Sequence, residues 1–165
     1  MAMTRTTAAA IVLFAVSTAT ILGAWAFEIL GGYAPCPLCL TERWPYYAVV
    51  ALGFVLVVAA TASAHERWIR AGLGICGAIM LASAALGGYH AGVEWGWWPG
   101  PQTCAGGGGF SGGGVLPDLD NARVVACDEA AWRLFGLSFA GYNAVISLCL
   151  AIVAFRGAIR PRRAV

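Results

Sequence analysis

The stretch Cys36-Pro37-Leu38-Cys39-Leu40-Thr41-Glu42-Arg43 lies between two long apolar runs of the chain. Pro37 suits the first turn of a helix, because its φ is already fixed there and it has no N–H to leave unpaired. A helix that begins near Pro37 has Cys36 as its cap and Cys39 one turn inside. Arg43 then shares a face with Cys39. The helix N-terminus and the guanidinium both favour a thiolate, which is the nucleophilic form of cysteine.

Two cysteines separated by two residues close a small disulfide ring or hold a metal. Pro45 follows shortly afterwards and leaves the Thr41 carbonyl without its usual partner, so we expect it to kink or restart the helix. We interpret 36–45 as a rigid, reactive entry turn that leads into a longer helix.

The composition around this stretch is that of a membrane protein. The chain has 165 residues, of which 60% are hydrophobic and 11% charged, and it contains no lysine. Four apolar runs are each close to the length of a helix that spans a bilayer. These runs cover about 8–30, 46–64, 71–89 and 138–155. We therefore predict an all-α fold: a polytopic membrane protein with a four-transmembrane-helix bundle, in a single domain over 1–165.

The arginines predict how the bundle is oriented. Seven of the ten lie at the N-terminus, in the turn at 65–70 or in the C-terminal tail, whereas seven of the eight acids lie on the other side. The positive-inside rule makes the first side cytoplasmic, so both termini are expected in the cytoplasm. The loops at about 31–45 and 90–137 then face the periplasm of a bacterial cell, where disulfides persist, and the protein lies in the inner membrane.

The N-terminus also permits a second interpretation. Arg5, an apolar stretch and Ala24-Trp25-Ala26 resemble a cleavable secretory signal. Because the apolar run continues through Leu30, we favour an uncleaved first span.

The second outer loop contributes two more cysteines, Cys104 and Cys127, on either side of a glycine-rich stretch. Four outward cysteines are compatible with structural disulfides, with a zinc site or with a redox relay. The second pair lacks the spacing that is typical of zinc ligands, and a staple around glycines stabilises little. We favour the relay, because a glycine tether lets a thiolate approach a disulfide. We also expect a short helical segment over Asp118–Phe135 and a cap for the last span at Ser138.

Several segments together resemble the bacterial disulfide bond formation protein B (DsbB) family of inner-membrane enzymes. The resemblance covers essentially the whole chain and rests on motifs in a fixed order. These are Cys36 to Arg43, Tyr89-His90-Ala91-Gly92-Val93-Glu94-Trp95, the cysteines 104 and 127, and Leu137-Ser138-Phe139-Ala140-Gly141-Tyr142-Asn143-Ala144.

The resemblance implies a quinone-reducing protein-disulfide oxidoreductase that reoxidises a periplasmic DsbA-like thiol oxidase. Cys104 would receive the attack of the reduced partner, and Cys127 would then exchange with Cys36. Cys39 would pass the electrons to ubiquinone or menaquinone in the bilayer, and Arg43 would support the developing negative charge. No metal and no nucleic acid are expected among the partners.

Two acids and a histidine near the outer membrane surface have less specific interpretations. His90, four residues before Glu94, could supply a proton for quinone reduction, or it could be solvated in the interface. Glu28, at the outer end of the first span, is expected to be solvated among the headgroups.

Two rival functions remain open at this point. A vitamin K epoxide reductase-like enzyme is also a four-helix membrane thiol enzyme, but its CxxC follows the loop cysteines, whereas here it precedes them. A membrane subunit with purely structural disulfides would hold redox-inert pairs that do not respond to quinone.

Overall fold

The computed structural model describes residues 4–62, 64–101 and 127–159. Four helices in this part of the chain are long and apolar enough to cross a membrane. They are α1 (Arg5–Ile29), α2 (Pro37–Thr61), α3 (Glu66–Glu94) and α4 (Phe139–Ala158). The predicted all-α class with four membrane spans is therefore confirmed, and the chain is a multi-pass membrane protein.

The start of α2 follows from its first residues. Cys36 is the N-cap, Pro37 is the first helical residue, and the Cys36 Sγ accepts a hydrogen bond from the Cys39 N–H at 3.1 Å. The expected restart at Pro45 is wrong, because α2 continues through this residue to Thr61. Neighbouring helices satisfy the freed backbone groups in membrane bundles, so proline is tolerated there.

The segment before α4 is a short hairpin. Strands β1 (Arg133–Leu134) and β2 (Leu137–Ser138) pair antiparallel. The two loop residues, Phe135 and Gly136, have φ values of 49° and 83°, as a type I′ turn requires. The helical segment expected over 118–135 is therefore wrong for 127–135, while 118–126 lie outside the described residues. Ser138 caps α4 as predicted, accepting from the Gly141 N–H at 3.2 Å.

The helices pack as a bundle in which α1 contacts α2, α2 contacts α3, α3 contacts α4 and α4 contacts α1. Its centre holds fully buried apolar side chains, among them Leu13, Val49, Leu73 and Met80. Large apolar side chains on the outer faces, such as Leu22, Val55 and Ile75, stay exposed. This distribution suits a bundle whose outer surface is covered by lipid rather than by water.

A glycine brings α3 and α4 close together near the outer end of the bundle. A Cβ at Gly87 would lie 2.9 Å from the Ala144 N atom and 3.0 Å from the Asn143 Nδ2 atom. Small residues let membrane helices approach in this way. The close contact brings Asn143 on α4 towards the outer end of α3, which also carries His90 and Glu94 because α3 extends past the predicted end at 89.

Candidate active site

The cysteines of the CPLC turn form a disulfide. Cys36 and Cys39 are bonded at the N-terminus of α2, and Cys36 is almost completely buried. The cap hydrogen bond from the Cys39 N–H and a bond from the Leu40 N–H to the Cys36 carbonyl, 3.1 Å long, hold the turn in shape. The disulfide therefore lies on a rigid helix start rather than on a loose loop.

A cavity of about 140 Å³ opens beside this disulfide. Apolar side chains from α1 and α4 form one wall, in which the ring centroids of Phe27 and Phe139 lie 4.9 Å apart. The Trp132 ring stacks on Phe139 at 5.0 Å. Polar and charged groups converge on the same space. They include Glu28, Cys36, Cys39, Glu42, Arg43, His90, Glu94, Glu129 and Asn143. A largely apolar cavity with a few convergent polar groups is the usual form of a small-molecule site.

Arg43 lines this cavity together with Cys39, and its guanidinium is anchored by an acid. Its Nη1 lies 2.6 Å from Glu28 Oε2, and the Arg43 side chain is 14% exposed. Glu28 therefore has a protein partner in addition to any contact with solvent. The cation thus lies beside the space that a ligand of Cys39 would occupy.

His90 is buried, so it is not a histidine solvated at the interface. Its Nδ1 lies 2.7 Å from Glu42 Oε1, and its Nε2 lies 3.6 Å from the Cys36 Sγ. Asn143 Nδ2 donates to the other oxygen of Glu42 at 2.8 Å. Hydrogen bonds therefore join α2, α3 and α4 directly beside the disulfide.

These hydrogen bonds continue into the bundle through hydroxyl groups. Ser147 Oγ donates to Asn143 Oδ1 at 3.1 Å and lies 2.8 Å from the Tyr46 hydroxyl and 3.0 Å from Ser83 Oγ. All of these side chains are buried. Each polar group thus finds partners within the bundle, as buried polar groups require.

Sequence reasoning missed Glu42 and Asn143 as site residues. A signal for them existed, because ionisable and amide side chains are rare inside membrane spans and usually face the bundle interior. Asn143 and Ser147, spaced i, i+4 in an apolar run, mark such an inward face.

Glu94 lies at the end of α3 and also lines the cavity. The Ser138 side chain is a hydrogen-bond partner of this carboxylate. The Oε2 atom of Glu94 is buried and has no hydrogen-bond partner among the described residues. Glu94 is therefore a second acid, one helical turn from His90, at the outer edge of the site.

Of the two cysteines in the second outer loop, the structure describes Cys127. It is buried, disulfide-bonded and packed in one cluster with Cys36 and Leu38. Its backbone is a further hydrogen-bond partner of the His90 ring. Cys104 lies outside the described residues, so its role and its pairing stay predictions.

Donor atoms of Cys36, Cys39 and His90 lie within 4.8 Å of one another, a spacing that could hold a metal ion. Zinc binds cysteine as the thiolate, however, and both sulfurs here are joined in the disulfide. The oxidised site is therefore suited to thiol–disulfide exchange rather than to metal binding.

The fold and the site together define a class: a multi-pass membrane protein with a Cys-x-x-Cys disulfide at one end of a four-helix bundle. The sequence model for disulfide bond formation protein DsbB matches residues 5–156. The chain belongs to the DsbB family, as its motifs predicted, and is thus a membrane disulfide-bond formation protein with disulfide oxidoreductase activity.

The chain is 25% identical over 146 residues to an uncharacterized protein of Rickettsia prowazekii (strain Madrid E), a match that covers 86% of this chain and 81% of that protein. No solved structure matches the chain.

Proposed function

We propose that this protein is a quinone-dependent protein-thiol oxidoreductase that reoxidises a DsbA-like thiol oxidase of the periplasm. The observation that carries the proposal is the Cys36–Cys39 disulfide, which borders a cavity that also contains Arg43 and His90. The protein acts in the bacterial inner membrane, as one domain with both termini in the cytoplasm. The arginine distribution supports this orientation.

The size and the lining of the cavity support a quinone ring as its ligand. A cavity of about 150 Å³ holds a benzene ring in other proteins, and the cavity here, of about 140 Å³, has a similar size. Phe27 and Phe139 offer apolar contacts, Arg43 offers donors to a ring oxygen, and His90 offers a further donor once it is protonated. A quinone, when bound, supplies a two-electron acceptor that also takes up two protons. Both ubiquinone and menaquinone carry such a ring.

Electrons enter through the outer loop. A thiolate of the reduced partner attacks Cys104, which breaks the Cys104–Cys127 bond and forms a mixed disulfide. The released Cys127 thiolate attacks Cys36, forms a new S–S bond and frees Cys39 as a thiolate. The burial of Cys127 in one cluster with Cys36 supports this order.

The freed Cys39 thiolate faces the cavity, where charge stabilisation matters most. Arg43 provides a permanent cation beside it, and Glu28 holds that cation in place. Fixed charges in a site that is poor in water stabilise a developing anion without reorganisation.

The test is quinone reduction by the reduced DsbA-like protein in lipid vesicles. Cys36→Ser and Cys39→Ser should each abolish turnover while the protein stays inserted and folded. Cys149→Ser is the matched control, because this thiol is exposed on α4 and is not among the residues that line the cavity. Wild-type turnover in either of the first two variants would remove the relay from consideration.

A further inference from the structure

The hydrogen bonds of Glu42 determine which nitrogen of His90 faces the disulfide. Both carboxylate oxygens receive hydrogen bonds, one from the His90 ring and one from the Asn143 amide. An ionised carboxylate only accepts, so the His90 Nδ1 must carry the hydrogen. Nε2 is then the acceptor nitrogen whenever the ring is neutral; it lies 3.6 Å from the Cys36 Sγ, and the Cys127 backbone is a further partner of the ring.

The orientation of Glu42 is itself fixed from α4. Asn143 presents its Nδ2 to Glu42 because its Oδ1 accepts from the Ser147 hydroxyl at 3.1 Å. The exposed fractions of His90, Glu42 and Asn143 are 2%, 7% and 8%, so water competes little for these bonds. In many sites, the residues that hydrogen-bond to a histidine, without touching the reacting group, set the orientation of its ring.

We propose that His90 is the base that takes the proton of the Cys36 thiol, and that Glu42 and Asn143 are positioning residues for it. This deepens the proposed function, on which it rests for the electron acceptor. In the reduced pair, the Cys36 thiol and the Cys39 thiolate become a disulfide as one S–S bond forms. One proton passes from the Cys36 Sγ to His90 Nε2, and two electrons pass to the membrane quinone. The negative charge of the Glu42 carboxylate stabilises the positive charge of the imidazolium that results.

The reactivity of the Cys36 thiol tests this without quinone or partner protein. In a background with Cys39→Ser, Cys104→Ser and Cys127→Ser, Cys36 is the remaining thiol at the site. Its alkylation by iodoacetamide at pH 7 is followed by mass spectrometry of the peptide that contains it.

His90→Gln and Glu42→Gln should each slow this alkylation about tenfold or more, because the base or its orientation is lost. Glu66→Gln is the control for the same chemical change at the far end of α3, where the acid is exposed, and it should have no effect. Unchanged rates in both test variants, shown to be folded by their elution as a monodisperse species, would overturn the proposal. A slower alkylation in both test variants, together with a chain with all its cysteines that reduces no quinone, would support the role of His90 and count against the proposed function.

The Glu94→Gln variant distinguishes a positioning role of Glu42 from a general effect of removing a negative charge near His90. Glu94 lies one turn from His90 and borders the same cavity, but no hydrogen bond joins it to the ring in the described structure. Glu94→Gln should therefore slow the alkylation by less than Glu42→Gln does. An equal or larger effect of Glu94→Gln would contradict the positioning role of Glu42.

The unmutated protein offers a test that does not depend on the folding of variants. The chain has two histidines, His65 and His90, so ¹⁵N labelling of histidine gives a simple spectrum that His65→Gln assigns. In the reduced protein, the ring nitrogen shifts of neutral His90 should show its hydrogen on Nδ1. A hydrogen on Nε2 in the neutral ring would overturn the proposal.

Discussion

Replacing Arg43 with lysine should raise the KM for quinone and leave kcat largely unchanged. One guanidinium nitrogen of Arg43 is already bound to Glu28 at 2.6 Å, and the remaining donors of the planar fork are available to the cavity. A lysine ammonium at this position can hold Glu28 or contact a ring oxygen, but its shape does not serve both. A hydrogen bond to a charged group contributes about 1.5–3 kcal/mol, so KM should rise roughly 10- to 150-fold. An unchanged kcat would mean that the lost interaction belongs to binding.

Steady-state reduction of short-chain ubiquinone and menaquinone analogues, each over a range of concentrations, measures this effect. Arg70→Lys is the matched control. The Arg70 side chain is also 14% exposed and also pairs with an acid, but it lies near the start of α3, at the opposite end of the bundle from the cavity. The Arg70→Lys variant should leave the KM for both analogues as in the wild type. If Arg43→Lys also leaves KM unchanged, Arg43 only anchors its helix and the reasoning is refuted.

Two further predictions concern the relay and the packing of the bundle. Cys104→Ser should prevent a stable mixed disulfide with the DsbA-like partner, whereas Cys127→Ser should let it accumulate; non-reducing gels measure both. A mixed disulfide that requires Cys127 and forms without Cys104 would reverse the assigned order. Gly87→Ala should lower stability by about 1–3 kcal/mol, because its Cβ would lie 2.9 Å from the Ala144 N atom. Gly88→Ala, whose Cβ meets nothing within 4 Å, should leave the thermal unfolding midpoint in detergent unchanged, and equal midpoints for both variants would contradict the tight contact.

The features that the sequence predicted well are local. Pro37 and the Cys36 cap start α2, and Ser138 caps α4, because each depends on partners within one helical turn. The four apolar runs likewise carry their own signal, since the bilayer sets the length of a span. The reactive turn could therefore be located before any contact between helices was known.

The features that the sequence did not predict depend on contacts between distant residues. Glu42 is separated from His90 by 48 positions and from Asn143 by 101, so its burial follows only from the packing of three helices. The Phe135-Gly136 hairpin was missed because an imperfect helical periodicity was preferred to the turn signal of the glycine. Pro45 was overestimated as a breaker, because the rule for soluble helices is weaker within a membrane bundle.

The most direct test of the central claim is an anaerobic single turnover with the Cys36–Cys39 pair reduced beforehand. One equivalent of quinone is added to the full chain in lipid, quinol is measured by absorbance, and the disulfides are mapped by mass spectrometry. The account predicts that one quinol forms for each Cys36–Cys39 disulfide that closes. Quinol that forms while this pair stays reduced, or a pair that stays reduced with no quinol formed, would contradict it.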